Sequence, residues 1–275
     1  MVSRARRRFP IALLSDFGDR DHYAGVMKGV IASIAPEASV VDLTHGIPAQ
    51  SVAAGAIALA QSWRFFPQGT IFLAVVDPGV GTERLAIAVE SRAGARFVGP
   101  DNGLLWAAAE AAGVECIVEL RAPRYRLKEV SATFHGRDIF APAAAWLWRG
   151  VSLTALGPKL ETMVQFESGD KVCETERELK GAVIYIDGFG NLVTNISREH
   201  IERFGRRFRG FRLLVRIGRS APIEIRKAYG DAPVGAPLAM FGSFDMLEVA
   251  VRDGNAADYF AAAAGVSVTI RAKRQ

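Results

Sequence analysis

Residues 70–84 read TIFLAVVDPGVGTER. The continuous apolar run at 71–76 is typical of a strand that is covered on both faces. Asp77 stands at its carboxyl end, and the proline and two glycines that follow predict a tight turn. Arg84 then opens the next apolar segment. Open α/β sheets place ligand chemistry at such strand ends, although a turn-capping aspartate beside a surface arginine explains the same residues.

The first half of the chain alternates short apolar runs with helical patterns. Residues 9–15 and 39–43 are predicted strands, and residues 23–34 and 52–63 are predicted helices. This alternation predicts an α/β N-terminal domain with a mostly parallel sheet flanked by helices. Polar residues follow the strands, and in a parallel sheet these positions share one edge, where a ligand crevice is expected. They are Asp16, Thr44, His45 and Asp77.

The second half of the chain has a different pattern. Residues 160–180 hold several charged residues and few large aliphatic ones, which is typical of a linker or an exposed edge. Short β patterns separated by turn residues dominate after it, and they predict a smaller all-β, barrel-like domain. We therefore expect an α/β N-terminal domain over residues 1–170 and a β-rich C-terminal domain over residues 171–275.

The composition is that of a globular protein with a substantial core. Half of the 275 residues are hydrophobic and 23% are charged. The two cysteines, Cys116 and Cys173, stand far apart, which favours a reducing compartment. No apolar run approaches the length of a transmembrane helix, and the run after the basic N-terminus is too short for a signal sequence. We expect a cytoplasmic protein with no membrane partner.

The formal net charge is +5, with basic clusters at 4–8 and 203–219. A basic balance can indicate nucleic-acid binding. Neither cluster is interleaved with stacking aromatic residues, so solvated faces are favoured and a nucleic-acid partner is not expected. The acidic and histidine residues between 16 and 45 match no standard ligand spacing, so no metal is expected either.

Five motifs together resemble the S-adenosylmethionine (SAM) hydroxide adenosyltransferases, a family related to the SAM-dependent fluorinase and chlorinase. They occur in the family's order over nearly the whole chain, whereas any one alone would be a weak signal. The motifs are SDFG at 15–18, DPGVGTER at 77–84, GPDNG at 99–103, TFHGRD at 133–138 and IDGFGNLVTN at 186–195.

The resemblance implies a hydrolase that converts SAM and water into adenosine and L-methionine by in-line displacement at ribose C5′. The implied catalytic residues are Asp77, Arg84 and His135, which would hold and activate one water molecule. Either Asp77 or His135 could take the proton from that water. SAM is the substrate, and no cofactor is implied.

The resemblance also implies substrate contacts in both halves of the chain. Asp16 resembles the family aspartate that accepts the ribose hydroxyls, and Asp187 resembles the carboxylate that pairs with the methionine ammonium. Phe189 is implied to pack near adenine, and Asn191 to bind the adenine edge. Ser243 resembles a contact to the amino-acid end. Without the resemblance, Asp187 and Asn191 indicate an ordinary hairpin turn.

Three departures from the halogenases bear on the nucleophile and on substrate binding. Asp77 stands where the halogenases carry a tyrosine, and Gly136 stands where the fluorinase carries a halide-contacting serine, so water is favoured over halide. Phe244 stands where the fluorinase has an arginine, which leaves the methionine carboxylate without an assigned partner. The alternatives are a SAM-dependent halogenase and a non-catalytic SAM- or adenosine-binding protein. The family implies a homotrimer with sites between subunits.

Overall fold

The computed structural model describes residues 9–166, 171–208 and 210–274. Contacts divide the chain into two compact units, Met1–Glu167 and Ser168–Gln275. The domain bounds expected at 170 and 171 stay a prediction, because residues 167–170 lie outside the described residues. The basic cluster at 4–8 lies outside them as well.

A seven-stranded mixed sheet forms the centre of the first unit. Its spatial order is β2-β1-β3-β5-β4-β6-β7. The strands are β1 (Ile11–Ser15), β2 (Val40–Thr44), β3 (Ile71–Val75), β4 (Ala86–Ser91), β5 (Arg96–Pro100), β6 (Val114–Glu119) and β7 (Lys159–Leu160). The first four strands in that order are parallel, and the pairs β5–β4, β4–β6 and β6–β7 are antiparallel. All five residues of β1 and of β3 are buried, as expected for strands covered on both faces.

Helices cover both faces of this sheet. They are α1 (Tyr23–Ile34), α2 (Val52–Ser62), α3 (Trp106–Ala112) and α4 (Ala141–Trp148). Helices α1 and α4 pack together over one face, where Met27 and Leu147 join the strand residues in the core. Helices α2 and α3 contact each other on the other face, and there a Cβ at Gly55 would meet the Leu14 side chain of β1. Short helical turns complete the unit, at Trp63–Phe65, Pro123–Tyr125, Gly136–Phe140 and Leu153–Leu156.

The second unit is an antiparallel sheet with the spatial order β12-β11-β15-β9-β10-β14-β13, and β8 pairs with β9. A bridge between Ile225 and Ala239 joins the two ends of the sheet, which is therefore a nearly closed barrel. The strands are β8 (Cys173–Glu174), β9 (Glu178–Ile186), β10 (Leu192–Ser197), β11 (Phe211–Ile217), β12 (Ile223–Glu224), β13 (Pro237–Phe241), β14 (Met246–Val251) and β15 (Ser267–Arg274). The predicted fold class, an α/β unit followed by a smaller barrel-like β unit, is confirmed.

Two helices and one helical turn lie in the second unit: α5 (Arg198–Gly205), α6 (Ala256–Phe260) and Tyr229–Asp231. Ser197 caps α5, since its side chain accepts a hydrogen bond from the His200 backbone N–H. Helix α6 ends at Phe260, because Ala261 adopts a left-handed conformation with φ +45°.

No helix in the described parts of the chain is long and apolar enough to cross a membrane.

Candidate active site

The turn after β3 carries Asp77 and returns Arg84. Gly81 within it has φ +78°, and a Cβ there would stand 2.5 Å from the Ala132 carbonyl oxygen. Glycine is therefore needed at this position for both its conformation and its size. The close approach packs the turn against the backbone segment that carries His135.

Arg84 joins the two other residues implied to be catalytic. Its Nε donates to Asp77 Oδ1 at 2.8 Å, and its Nη2 donates to Asp77 Oδ2. Nη2 also donates to His135 Nδ1 at 2.7 Å, and Nη1 donates to the Leu85 carbonyl at 3.3 Å. The guanidinium carbon lies 5.3 Å from the centre of the Phe140 ring, within the range of a cation–π contact. The Arg84 and Asp77 side chains are only 10% and 6% exposed, so this group is fixed and largely desolvated.

Asp138 fixes the loop that carries His135. Its side chain is fully buried and accepts the Ser131 backbone N–H at 2.8 Å. Arg137 pairs with the same carboxylate. His135 stands immediately before the π-helical turn at 136–140 that contains both residues. The TFHGRD motif therefore contains the carboxylate, that of Asp138, which holds its own loop in place. The sequence did not indicate this role.

The environment lowers the pKa of His135. Burial is the main cause and the charge of Arg84 adds to it, while Asp77 and Asp138 act in the opposite direction. A guanidinium has only donors, so His135 Nδ1 must accept the bond from Arg84. We infer from this bond that the neutral imidazole carries its proton on Nε2. The site then combines a carboxylate, a guanidinium and a neutral imidazole that presents an N–H donor.

Asp16 lies at the same edge of the sheet as Asp77. Ser15 pairs with Val75 across the parallel strands β1 and β3, so both aspartates follow neighbouring strand ends. Asp16 Oδ2 accepts the Gln50 backbone N–H at 2.7 Å. Within the described residues, Asp16 Oδ1 has no hydrogen bond, so it has the capacity to accept a ligand hydroxyl.

The second unit holds the other residues implied to bind substrate. Asp187 Oδ1 accepts the backbone N–H groups of Phe189 and Asn191 at 2.8 and 2.9 Å, and Asp187 Oδ2 accepts from Asn191 Nδ2 at 2.9 Å. These bonds form the hairpin turn between β9 and β10 that the residue types indicate by themselves. Phe189 is 82% exposed. Ser243 is exposed in another loop, between β13 and β14.

A polar pair near Asp187 was not predicted from the sequence. Tyr229 Oη donates to Glu248 Oε1 at 2.6 Å. Burial is the main cause that raises the pKa of Glu248, and the charge of Asp187 adds to it. Burial is also the main cause that raises the pKa of Tyr229, and the interaction with Glu248 adds to it. Glu248 stands in a strand pattern that signals only β structure, and Tyr229 is 19 residues away in the chain, so the sequence held no sign that they meet.

Among the described residues, no three His, Cys, Asp or Glu side chains group as a metal site requires. His45, one of the histidines between residues 16 and 45, is hydrogen-bonded to Ser15 and Asp42.

The fold and the site define a protein with an α/β unit, a β-barrel unit and a buried carboxylate–guanidinium–imidazole group at a strand edge. Comparison with known families agrees with the resemblance of the motifs. Models of the SAM hydroxide adenosyltransferase N-terminal and C-terminal domains match residues 11–157 and 181–269. The chain belongs to the SAM hydroxide adenosyltransferase family.

Several known proteins are similar to the chain over nearly its whole length. The (R)-S-adenosyl-L-methionine hydrolase of Thermus thermophilus is 38% identical over 95% of this chain and 99% of its own. The hydrolase of the same name from Salinispora arenicola is 37% identical over 95% and 97%. The fluorinase of Nocardia brasiliensis is 29% identical over 98% and 99%. The structure of an uncharacterized conserved protein from Thermotoga maritima superposes with a TM-score of 0.86 at 37% identity, covering 95% and 99%.

Proposed function

We propose that this chain is a SAM hydrolase, which converts SAM and water into adenosine and L-methionine. Family membership and the names of its relatives support this function. The observation that carries the proposal in this chain is the hydrogen-bonded group of Asp77, Arg84 and His135. A protein that only bound SAM would need no such group at the sheet edge where the ligand is expected to bind.

The reaction requires a proton acceptor and no acid. Water attacks ribose C5′ as the C5′–S bond breaks, and the electron pair of that bond goes to the sulfonium sulfur, which leaves as a neutral thioether. The attacking oxygen then has to lose a proton. The enzyme must therefore hold one water in line with C5′ and offer it an acceptor.

Asp77 is the better candidate for that acceptor. The Nδ1 lone pair of His135 is occupied by Arg84, and Nε2 carries the proton of the neutral ring. His135 therefore presents a donor to the nucleophile. Asp77 accepts two bonds from Arg84 and has about four lone-pair sites, so acceptor capacity remains. We assign Asp77 to accept the proton and His135 to orient the water.

Arg84 acts as the clamp of this group. Its bonds to Asp77, His135 and Leu85 engage four of the five N–H groups of the guanidinium. It pairs with the Asp77 carboxylate and holds the His135 ring in one tautomer. Its fixed charge also favours the hydroxide-like oxygen that forms in the transition state.

The substrate contacts are proposed on the same basis. Asp16 Oδ1 is available to the ribose hydroxyls, and Asp187 retains about one lone-pair site for the methionine ammonium after its three turn bonds. Phe189 and Asn191 are assigned to adenine, and Ser243 to the amino-acid end.

We also propose a cytoplasmic homotrimer whose sites combine residues of different subunits. Asp77 and Asp187 lie in different units of the chain, so one variant can carry a defect in the first unit and another variant a defect in the second. Asp77→Asn and Asp187→Asn proteins, each inactive alone, should regain part of the activity when they are co-refolded. Absence of any recovery, together with a monomer mass by light scattering, would contradict the shared site.

The function is tested by incubating the purified protein with SAM in ¹⁸O-labelled water, with and without fluoride or chloride. We expect equal amounts of adenosine and methionine, independent of halide, with the label in the adenosine 5′-hydroxyl. A 5′-halogenated adenosine would identify a halogenase. Bound but unchanged SAM would identify a binding protein.

A further inference from the structure

A chain of polar side chains runs behind Asp16, from the surface to the buried end of β1. Lys28 Nζ donates to Asp42 Oδ2 at 2.6 Å. His45 Nε2 lies 3.1 Å from Asp42 Oδ1, and His45 Nδ1 lies 2.7 Å from Ser15 Oγ. This network of side chains joins α1, β2 and β1. Ser15 and His45 are 1% and 7% exposed, so its inner half is shielded from water.

The donors and acceptors of this chain have one consistent arrangement. The Asp42 carboxylate accepts from Lys28 Nζ and from His45 Nε2. Burial alone would raise its pKa, but these hydrogen bonds and the charge of Lys28 lower it overall. With the donated proton on His45 Nε2, we assign Nδ1 as the acceptor of the Ser15 hydroxyl. Ser15 Oγ in turn accepts the Phe17 backbone N–H at 3.3 Å. Every buried polar side-chain atom of this four-residue network has a hydrogen-bond partner, as a rigid network requires.

His45 connects the two loops that hold Asp16. The first loop follows β1 and begins with Asp16, and its Gly18 N–H donates to the His45 carbonyl at 2.8 Å. The second loop follows β2, begins with His45 and ends at Gln50, whose N–H binds Asp16 Oδ2. Gln50 adopts φ +64°, a conformation that costs a non-glycine residue energy. The loops are thus joined by the side chain and the backbone of one residue, and Asp16 lies between them.

The residue types Ser15, His45 and Asp42 are also those of a hydrolytic triad, but their surroundings do not fit that role. Ser15 is 1% exposed, and its hydroxyl is bound on one side by His45 and on the other by the Phe17 N–H. A nucleophile must reach its substrate, and this hydroxyl cannot. The network therefore has a structural effect on the residues next to it in the sequence.

We propose that His45, anchored by Asp42, is a positioning residue that orients Asp16 toward the ribose hydroxyls of the nucleoside. The proposal rests on the proposed function, because it assumes that the ligand at this edge is a ribonucleoside. Loss of the His45 side chain would leave the Ser15 hydroxyl without its partner and would leave only backbone bonds and the Asp16–Gln50 bond to hold the two loops together. The carboxylate would then lose its fixed direction.

The test compares the binding of adenosine with that of 2′,3′-dideoxyadenosine by calorimetry, using the full chain. The ratio of the two dissociation constants measures the contribution of the ribose hydroxyls. His45→Ala should lower this ratio about tenfold, since a well-placed hydrogen bond to a charged group contributes about that factor. His45→Asn should restore most of the ratio, because its side-chain oxygen can accept from Ser15 as Nδ1 does. Ser33→Ala, an exposed hydroxyl on α1 outside the network, is the matched control and should leave the ratio unchanged.

The outcomes separate the proposal from the proposed function. In SAM turnover, His45→Ala should raise KM while kcat falls less than about threefold, because the network does not touch the reacting atoms. Equal weakening of both ligands, or an unchanged ratio, would overturn the positioning role. If His45→Ala does not fold, Asp42→Asn at the half-exposed end of the network provides the same comparison. Wild-type protein that discriminates the ligands but leaves SAM intact would disprove the hydrolase and leave the positioning role standing.

Discussion

Replacing Asp77 by asparagine separates the chemical and the structural roles of the site. The change keeps the shape of the side chain and removes its charge, so the nucleophile loses its proton acceptor. General base catalysis contributes about 10²- to 10⁴-fold to a rate, and we expect kcat to fall by about 10³-fold. KM for SAM should change less than about threefold, because Asp77 is assigned to the water and not to the substrate.

The same change has a cost in stability that the structure allows us to estimate. Asp77 and Arg84 are 6% and 10% exposed and joined by two bonds, so Asp77→Asn leaves a nearly buried guanidinium without its counter-charge. Breaking a buried pair on one side costs about 3 kcal/mol. In a unit of this size, that loss lowers the melting temperature by about 6 to 12 °C.

Glu90→Gln is the matched control for this experiment. Glu90 also pairs with an arginine of the same sheet, Arg96, at 2.7 Å, but both side chains are about one-third exposed. Such a pair contributes about 0 to 1 kcal/mol, and the variant should keep its kcat. Steady-state kinetics by chromatography and thermal unfolding provide both readouts. An Asp77→Asn enzyme with more than about one tenth of the wild-type kcat would refute the assignment of Asp77 as the proton acceptor.

Three further predictions concern separate features. Because the pKa of His135 is lowered, folding favours its neutral form. Both kcat/KM and the contribution of His135 to stability should therefore hold above pH 6.5 and fall as the pH drops through the lowered pKa. A pH–rate profile and unfolding at several pH values check these two expectations. Gly81→Ala should cost about 1 to 3 kcal/mol and reduce kcat by more than about tenfold, because φ is +78° and the new Cβ would displace the segment at Ala132; urea unfolding and turnover measure it. Ser197→Ala should cost about 1 kcal/mol through the lost cap of α5, with kcat unchanged in the same two assays.

Features that rest on neighbouring residues could be predicted from the sequence. The helical pattern at 23–34 has the bounds of α1, because apolar spacing and the proline that follows the helix act within one element. The edge position of Asp77 followed from strand polarity alone. The contact between Arg84 and His135 joins residues 51 apart, and only the family resemblance indicated it beforehand.

Features that depend on distant pairing could not be predicted. Strands β4, β6 and β7 join the sheet antiparallel to their neighbours, and nothing in their short apolar runs specifies the partner strand. The pairing of Tyr229 with Glu248 depends likewise on how strands meet in the barrel. The network of His45 was visible only as a histidine after a strand, since its three bonds come from β1, β2 and the loop after β1.

The charge at the nucleophile position explains why a hydrolase and the related fluorinases can share one fold. A halide needs N–H or O–H donors and no nearby anion, whereas a reacting water needs an acceptor. A halide about 4 Å from the Asp77 carboxylate would be repelled by about 1 kcal/mol in a water-like medium and by about 4 kcal/mol at the effective dielectric constant of a protein surface. The charge of Arg84 offsets part of this repulsion, but four of its five N–H groups are already bound to Asp77, His135 and the backbone, so it has little capacity left to donate to a halide. A single carboxylate in the turn after β3 therefore disfavours halide and supplies the acceptor that water requires.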